Sequence, residues 1–155
     1  MGRLVIYKKL SLLLSIFAIL FFTGCESPSL FGGKVEKTYF TGGQISSTYT
    51  WSDESGKNGI LRKFGYDKHM TSSVHIRNGV KDGIETLYDS YGRVIKQTPY
   101  VNGRIHGIQK AFYPNGNRMI TYTYQYGIKN GYAFAYNTDG TVNKKAKFKN
   151  DKLVR

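Results

Sequence analysis

The amino-acid sequence predicts an all-β protein, an elongated antiparallel sheet of successive β-hairpins, each built from a 24-residue repeat. Three observations carry this. Glycines recur 24 residues apart in three columns: Gly79, Gly103 and Gly127; Gly83, Gly107 and Gly131, reaching back to Gly59; and Gly92, Gly116 and Gly140. A fixed period of that length signals a repeat architecture. Between the glycines, apolar and polar residues alternate, the period of a strand with one buried face. The glycines themselves follow turn-forming residues, in Asn78-Gly79, Asn102-Gly103, Asn130-Gly131, Asp89-Ser90-Tyr91-Gly92, Pro114-Asn115-Gly116 and Thr138-Asp139-Gly140. Asn-Gly between alternating runs is a strong hairpin signal, and the others place small or polar residues before a glycine able to take positive φ.

The elements follow in chain order. Residues 1–24 read as a targeting segment. Arg3, Lys8 and Lys9 are the only charges before residue 26, and Leu10 to Phe22 is apolar except for Ser11 and Ser15. A basic start and a short apolar core are the layout of a secretory signal. The run falls short of the ~20 residues that span a bilayer. It ends in Phe22-Thr23-Gly24-Cys25, which resembles the bacterial lipobox, with Phe22 where leucine is usual. That resemblance implies cleavage before Cys25, a diacylglyceryl group on its thiol and an acylated new N-terminus. An ordinary secretory signal, or an uncleaved anchor, is the alternative. The chain's one cysteine falls at the one position a lipobox requires, which favours lipidation. Glu26 follows it, where aspartate is the usual inner-membrane retention signal. The expected location is therefore the outer membrane of a two-membrane cell, or otherwise the outer face of the plasma membrane.

Residues 25–37 are expected to be a lipidated tether, and residues 38–155 a domain of about four to five repeats. The first copy, around Thr41-Gly42-Gly43-Gln44, is offset by one residue and degenerate. Each later copy is two strands and two turns. Even-numbered positions carry the apolar columns: Ile60, Ile84, Ile108 and Tyr132; Phe64, Tyr88, Phe112 and Tyr136; Val74, Thr98, Tyr122 and Ala146; Ile76, Tyr100, Tyr124 and Phe148. All four columns are expected on one buried face. Pro99 has no N–H to give a ladder and marks an edge or a bulge.

Segments such as Phe112-Tyr113-Pro114-Asn115-Gly116-Asn117 and Tyr100-Val101-Asn102-Gly103-Arg104-Ile105-His106-Gly107 resemble variant MORN repeats, which also occur in the YwqK-type antitoxin family. The resemblance covers residues 55–155 and, more loosely, 38–54. It departs from the family in Tyr126 for asparagine, in Tyr132 where leucine or tryptophan is common, and in columns without tryptophan. It implies a flat array of stacked hairpins, a scaffolding role and, in some members, neutralisation of a toxin.

The residues offer little for catalysis. Asp53-Glu54 is the only adjacent pair of carboxylates, and strand neighbours face opposite ways. His69, His75 and His106 lack metal-ligand spacing, and no nucleophile or phosphate-loop motif is present. No enzyme, metal, cofactor or small-molecule substrate is expected, apart from the lipid on Cys25. Charge points to a partner instead. The chain has 23 basic and 10 acidic residues; without Arg3, Lys8 and Lys9, 20 basic residues remain, or +10 over residues 25–155. Lys145, Lys147 and Lys149 alternate with Ala146 and Phe148, a basic strand face over an apolar one. One reading is an edge strand charged against aggregation. The other is a binding face, to which Tyr66 and Tyr126, in turns, would add contact aromatics. Export makes nucleic acid an unsuitable target, leaving the membrane through the anchor and a protein or anionic envelope polymer as partner. The expected function is a non-enzymatic envelope lipoprotein whose sheet is a binding scaffold. Its rivals are an immunity protein neutralising a toxin and a direct binder of anionic envelope polymer.

Overall fold

A computed structural model describes residues 33–154; the lipobox residues Phe22, Thr23, Gly24 and Cys25 lie outside them. The described chain is all strand and turn: β1 (Val35–Tyr39), β2 (Ile45–Trp51), β3 (Gly59–Phe64), β4 (Met70–Arg77), β5 (Val80–Lys81), β6 (Gly83–Tyr88), β7 (Val94–Val101), β8 (Arg104–Ile105), β9 (Gly107–Phe112), β10 (Arg118–Gln125), β11 (Ile128–Tyr136), β12 (Val142–Lys149) and β13 (Lys152–Val154). They form one antiparallel sheet in the order β1-β2-β3-β4-β6-β7-β9-β10-β11-β12-β13, with β5 paired to β4 and β8 to β7. β1 starts at Val35, so the expected tether gives up Val35 to Lys37 to the sheet.

Two kinds of turn alternate along the array. Asn78-Gly79, Asn102-Gly103, Tyr126-Gly127 and Asn150-Asp151 have positive φ at both residues, the signature of the type I′ hairpin, whose twist matches the strands it joins. The second amide of each donates across to the preceding repeat: Gly79 N–H to Lys57 C=O, Gly103 to Lys81, Gly127 to Ile105 and Asp151 to Lys129, at 2.7–3.0 Å. At the opposite rim are five-residue turns with one bonding pattern. Asp89 N–H donates to Arg93 C=O and Gly92 N–H to Asp89 C=O, and the same pair of bonds recurs at 40–44, 65–69, 113–117 and 137–141. Gly92, Gly116 and Gly140 have positive φ there, and so does Lys68, at +68°. A side chain in that region costs about 1 kcal/mol, so Lys68→Gly is expected to raise stability by about that amount, read as a higher urea midpoint at unchanged m-value.

Each five-residue turn is followed by one extra residue: Ser46, Thr71, Ile95, Met119 and Asn143 are skipped in the pairing, as in Leu87↔Lys96 followed by Tyr88↔Val94. This bulge corrects the expected core. Residues facing each other across strands share a face, and Leu61↔Val74, Glu85↔Thr98, Tyr122↔Gln109 and Ala133↔Ala146 each join an odd to an even position. Parity therefore reverses between the two strands of a hairpin. Val74, Thr98, Tyr122 and Ala146, with Ile76, Tyr100, Tyr124 and Phe148, lie on one face, the tyrosine face. Ile60, Ile84, Ile108 and Tyr132, with Phe64, Tyr88, Phe112 and Tyr136, lie on the other, the isoleucine face. The four apolar columns are shared between two faces and not gathered on one.

Nor are Gly83, Gly107 and Gly131 hairpin turns, as expected of them. They stand at or near the start of the long strands, at φ of 109°, 106° and 129°, next to the interruption in pairing with the preceding strand. Pro99 falls in the same interruption, between the Gln97↔Lys110 and Tyr100↔Ile105 pairs, where its missing N–H costs no ladder bond.

The sheet is one layer thick, strands making their main contacts with sheet neighbours. Its core is correspondingly thin: Val74, Ala133 and Tyr136 are the buried apolar residues, beside Ser72, Thr98 and Thr121. Turn carboxylates add local order. Asp53 is held below the usual carboxylate range by the Ser55 hydroxyl and the Asn58 amide, and Asp139 by the Thr141 hydroxyl and N–H. A depressed folded pKa adds stability above the unfolded value, near 3.9, that is lost as pH falls through the folded value. Urea midpoints are thus expected to fall below about pH 4, and Asp139→Asn to flatten that fall.

A candidate binding surface

β12 and β11 together build the basic patch. Lys145 pairs with Phe134 and Lys147 with Tyr132, which puts them on the isoleucine face, and Lys149 follows by alternation. The Lys145 ammonium stands 4.2 Å from the Tyr132 ring centre and 5.9 Å from that of Phe134, and Lys147 stands 5.7 Å from Tyr132. Tyr132, Phe134 and Tyr136 run along the strand at 6.1 and 6.3 Å between ring centres, and the Arg118 guanidinium lies 4.8 Å over Tyr136. Cations over ring faces gain about 0.5–1 kcal/mol at exposed sites. The rings thus hold these side chains over the sheet with N–H groups still free to meet an anion.

The two aromatics singled out with the lysines lie elsewhere. Tyr66 is on the rim of five-residue turns and stacks on Phe40, 4.0 Å between centres and 20° between planes. Tyr126 is on the opposite rim, in its type I′ turn at φ +49°, with its ring 4.4 Å from that of His106. Tyr126 shares that rim with the turn after Lys149; Tyr66 does not belong to the same surface.

Sequence reasoning missed Arg118, because its ring partner Tyr136 is 18 residues on and only the register joins them. It also missed Tyr91, at 82% the most exposed aromatic among the described residues, under the Arg93 guanidinium. On the tyrosine face it missed a trio, in which Lys81 Nζ donates to Glu85 Oε1 at 2.6 Å and Tyr100 Oη to Glu85 Oε2 at 3.1 Å. Partial burial opposes the Lys81 charge, but Glu85 outweighs it and raises the ammonium pKa; burial, then Glu85, raises that of the Tyr100 phenol. At neutral pH the trio is an ion pair with a neutral phenol donor, a structural clasp. The recurrence of lysine at 81 and 129, two periods apart with Ile105 between them, was the available signal, since Lys129 likewise stands over Tyr122 and Phe148.

A groove of about 820 Å³ is lined by Asp53, Asn58, His75, Arg77 and Asp82 among others. Its carboxylates are engaged in holding turns: Asp53 with Ser55 and Asn58, Asp82 with the Asn102 N–H at 3.2 Å and Arg77 at 3.8 Å. Among the described residues no three His, Cys, Asp or Glu side chains gather as metal ligands, and no helix is long and apolar enough to cross a membrane. No family model matches the chain, and no curated protein matches it.

Proposed function

We propose that this protein is a non-enzymatic, lipid-anchored component of the bacterial cell envelope whose hairpin-repeat sheet binds a protein or an envelope polymer. The observation that carries the reading is the single-layer sheet itself. Its strands leave two extended faces uncovered, and one of them bears a lysine and arginine patch seated on aromatic rings. Rigid strands are better suited to presenting such a surface than to moving around a substrate, and aromatic and arginine side chains are those most enriched where proteins meet. The lipobox resemblance at Cys25 and the MORN resemblance of the repeats support the same assignment to the envelope and to scaffolding.

The test is crosslinking in intact cells, with a photoreactive residue at Lys147 and identification of the adduct. An envelope protein or polymer joined to the chain, and absent when Arg118→Glu and Lys145→Glu are introduced with the photoreactive residue kept at 147, is the expected result. Recovery of free chain alone would set the reading aside. An adduct with a secreted toxin, with cells lacking this protein killed by it, would select the immunity reading.

A further inference from the structure

The register divides the charges of the sheet unequally. Glu36 and Glu85 are the carboxylates carried on the described strands, and their partners Tyr49 and Thr98 place both on the tyrosine face. The other described acids sit in turns and loops. The strand side chains that point to the isoleucine face include no carboxylate, but do include Lys37, Arg62, Lys110, Arg118, Lys145 and Lys147. None of these cations takes part in the ion pairs found among the described residues. The same face leaves Ile84 at 53%, Ile108 at 52% and Tyr132 at 44% exposure, a ridge with one residue per repeat. Beside the ridge runs a row of neutral polar residues, Thr48, Ser73, Thr86, Gln97 and Thr121, interrupted by Arg62 and Lys110.

We infer that the isoleucine face is a docking surface for an acidic protein surface that also bears apolar side chains. The inference rests on the scaffold reading above and names its surface and partner. Charge disfavours a second copy docked face to face, since the strand residues of this face are basic without a carboxylate and two such faces repel, while Asp82 in the loop before β6 is already taken up by Arg77. The isoleucine ridge gains by dehydration, and a hydrophilic polyphosphate chain supplies no apolar surface to do it. The hydroxyl and amide row needs hydrogen-bond partners once dehydrated, and lipid tails supply none. A protein supplies carboxylates, apolar contacts and hydrogen bonds together.

The experiment uses the full chain in phosphatidylcholine nanodiscs and four probes: a glutamate–tyrosine copolymer, poly-L-glutamate, long-chain inorganic polyphosphate and phosphatidylglycerol vesicles. The copolymer is expected to bind at least tenfold more tightly than poly-L-glutamate or polyphosphate of equal length. Ile84→Ser with Ile108→Ser removes that advantage and leaves poly-L-glutamate binding unchanged; Lys110→Glu with Lys145→Glu weakens both polypeptides tenfold or more. If circular dichroism shows the serine variant unfolded, Thr86→Glu, which sets a carboxylate in the middle of the face, carries the test: both polypeptides are expected to bind tenfold or more weakly, and undiminished binding overturns the assignment of this face. A copolymer advantage that survives the serine substitutions overturns the assignment of this face while leaving the scaffold reading standing. Equal or tighter binding of polyphosphate or vesicles overturns the choice of a protein partner, and no binding by any probe overturns the inference as a whole.

Discussion

Replacing Gly131 by alanine is expected to cost the sheet about 4 kcal/mol, while Gly83→Ala, at the same place in an earlier repeat, costs about 2 kcal/mol. Both glycines have φ values that side chains rarely adopt, +129° and +109°, and that strain alone is worth about 2 kcal/mol. The two sites differ in what a methyl group meets. At Gly83 its nearest neighbour is the His75 Cβ at 3.6 Å, an ordinary contact; at Gly131 it is the Thr123 Cβ at 2.9 Å, with Cγ2 at 3.0 Å. Thr123 cannot swing aside freely, because its hydroxyl donates to the Tyr132 carbonyl at 2.8 Å. Overpacking of that kind adds roughly 1–3 kcal/mol. Urea unfolding of the two variants side by side checks the difference. Equal losses would show that backbone strain alone sets the requirement for glycine and that the approach of Thr123 does not.

Cys25→Ser is expected to abolish incorporation of radiolabelled palmitate and to move the protein from the membrane to the soluble fraction. The thioether to diacylglycerol requires a thiol, and the chain has no second cysteine to take its place. The effect on partitioning is large because each buried methylene contributes about 0.8 kcal/mol and two or three chains are lost together. The described sheet contains no cysteine, so its far-ultraviolet circular dichroism is expected to stay unchanged. Label persisting on the serine protein would remove lipidation at Cys25 and, with it, the anchored reading.

Much of the sheet was legible because its repeat is spelled in residues with a single conformational use. Asn78-Gly79 and Asn102-Gly103 adopt the type I′ turns that their sequence demands, and Gly92, Gly116 and Gly140 close the turns at the other rim. Which face each column occupies was not legible. Phe112↔Arg118 joins two even positions, as simple alternation through the turn would have it, but the skipped Met119 shifts the next pair to Ala111↔Ile120. One residue of slip sends every following side chain to the opposite face, and Met119 carries no mark of its role. The lysine patch was found because its residues are close in sequence. Its extension to Arg62, Lys110 and Arg118, and the confinement of Glu36 and Glu85 to the other side, depend on register across several strands, which composition and spacing along one strand do not contain.

The hydrogen bonds from Gly79, Gly103, Gly127 and Asp151 to the repeat before recur at four successive joints of the array. Length is thereby uncoupled from surface chemistry. Inserting or deleting 24 residues changes the sheet by two strands, roughly 9.6 Å at the spacing of hydrogen-bonded neighbours, and preserves parity, turn type and the allocation of every other side chain to its face. The protein is in this sense a ruler with a fixed graduation, whose reach can change by whole units without redrawing what either side displays.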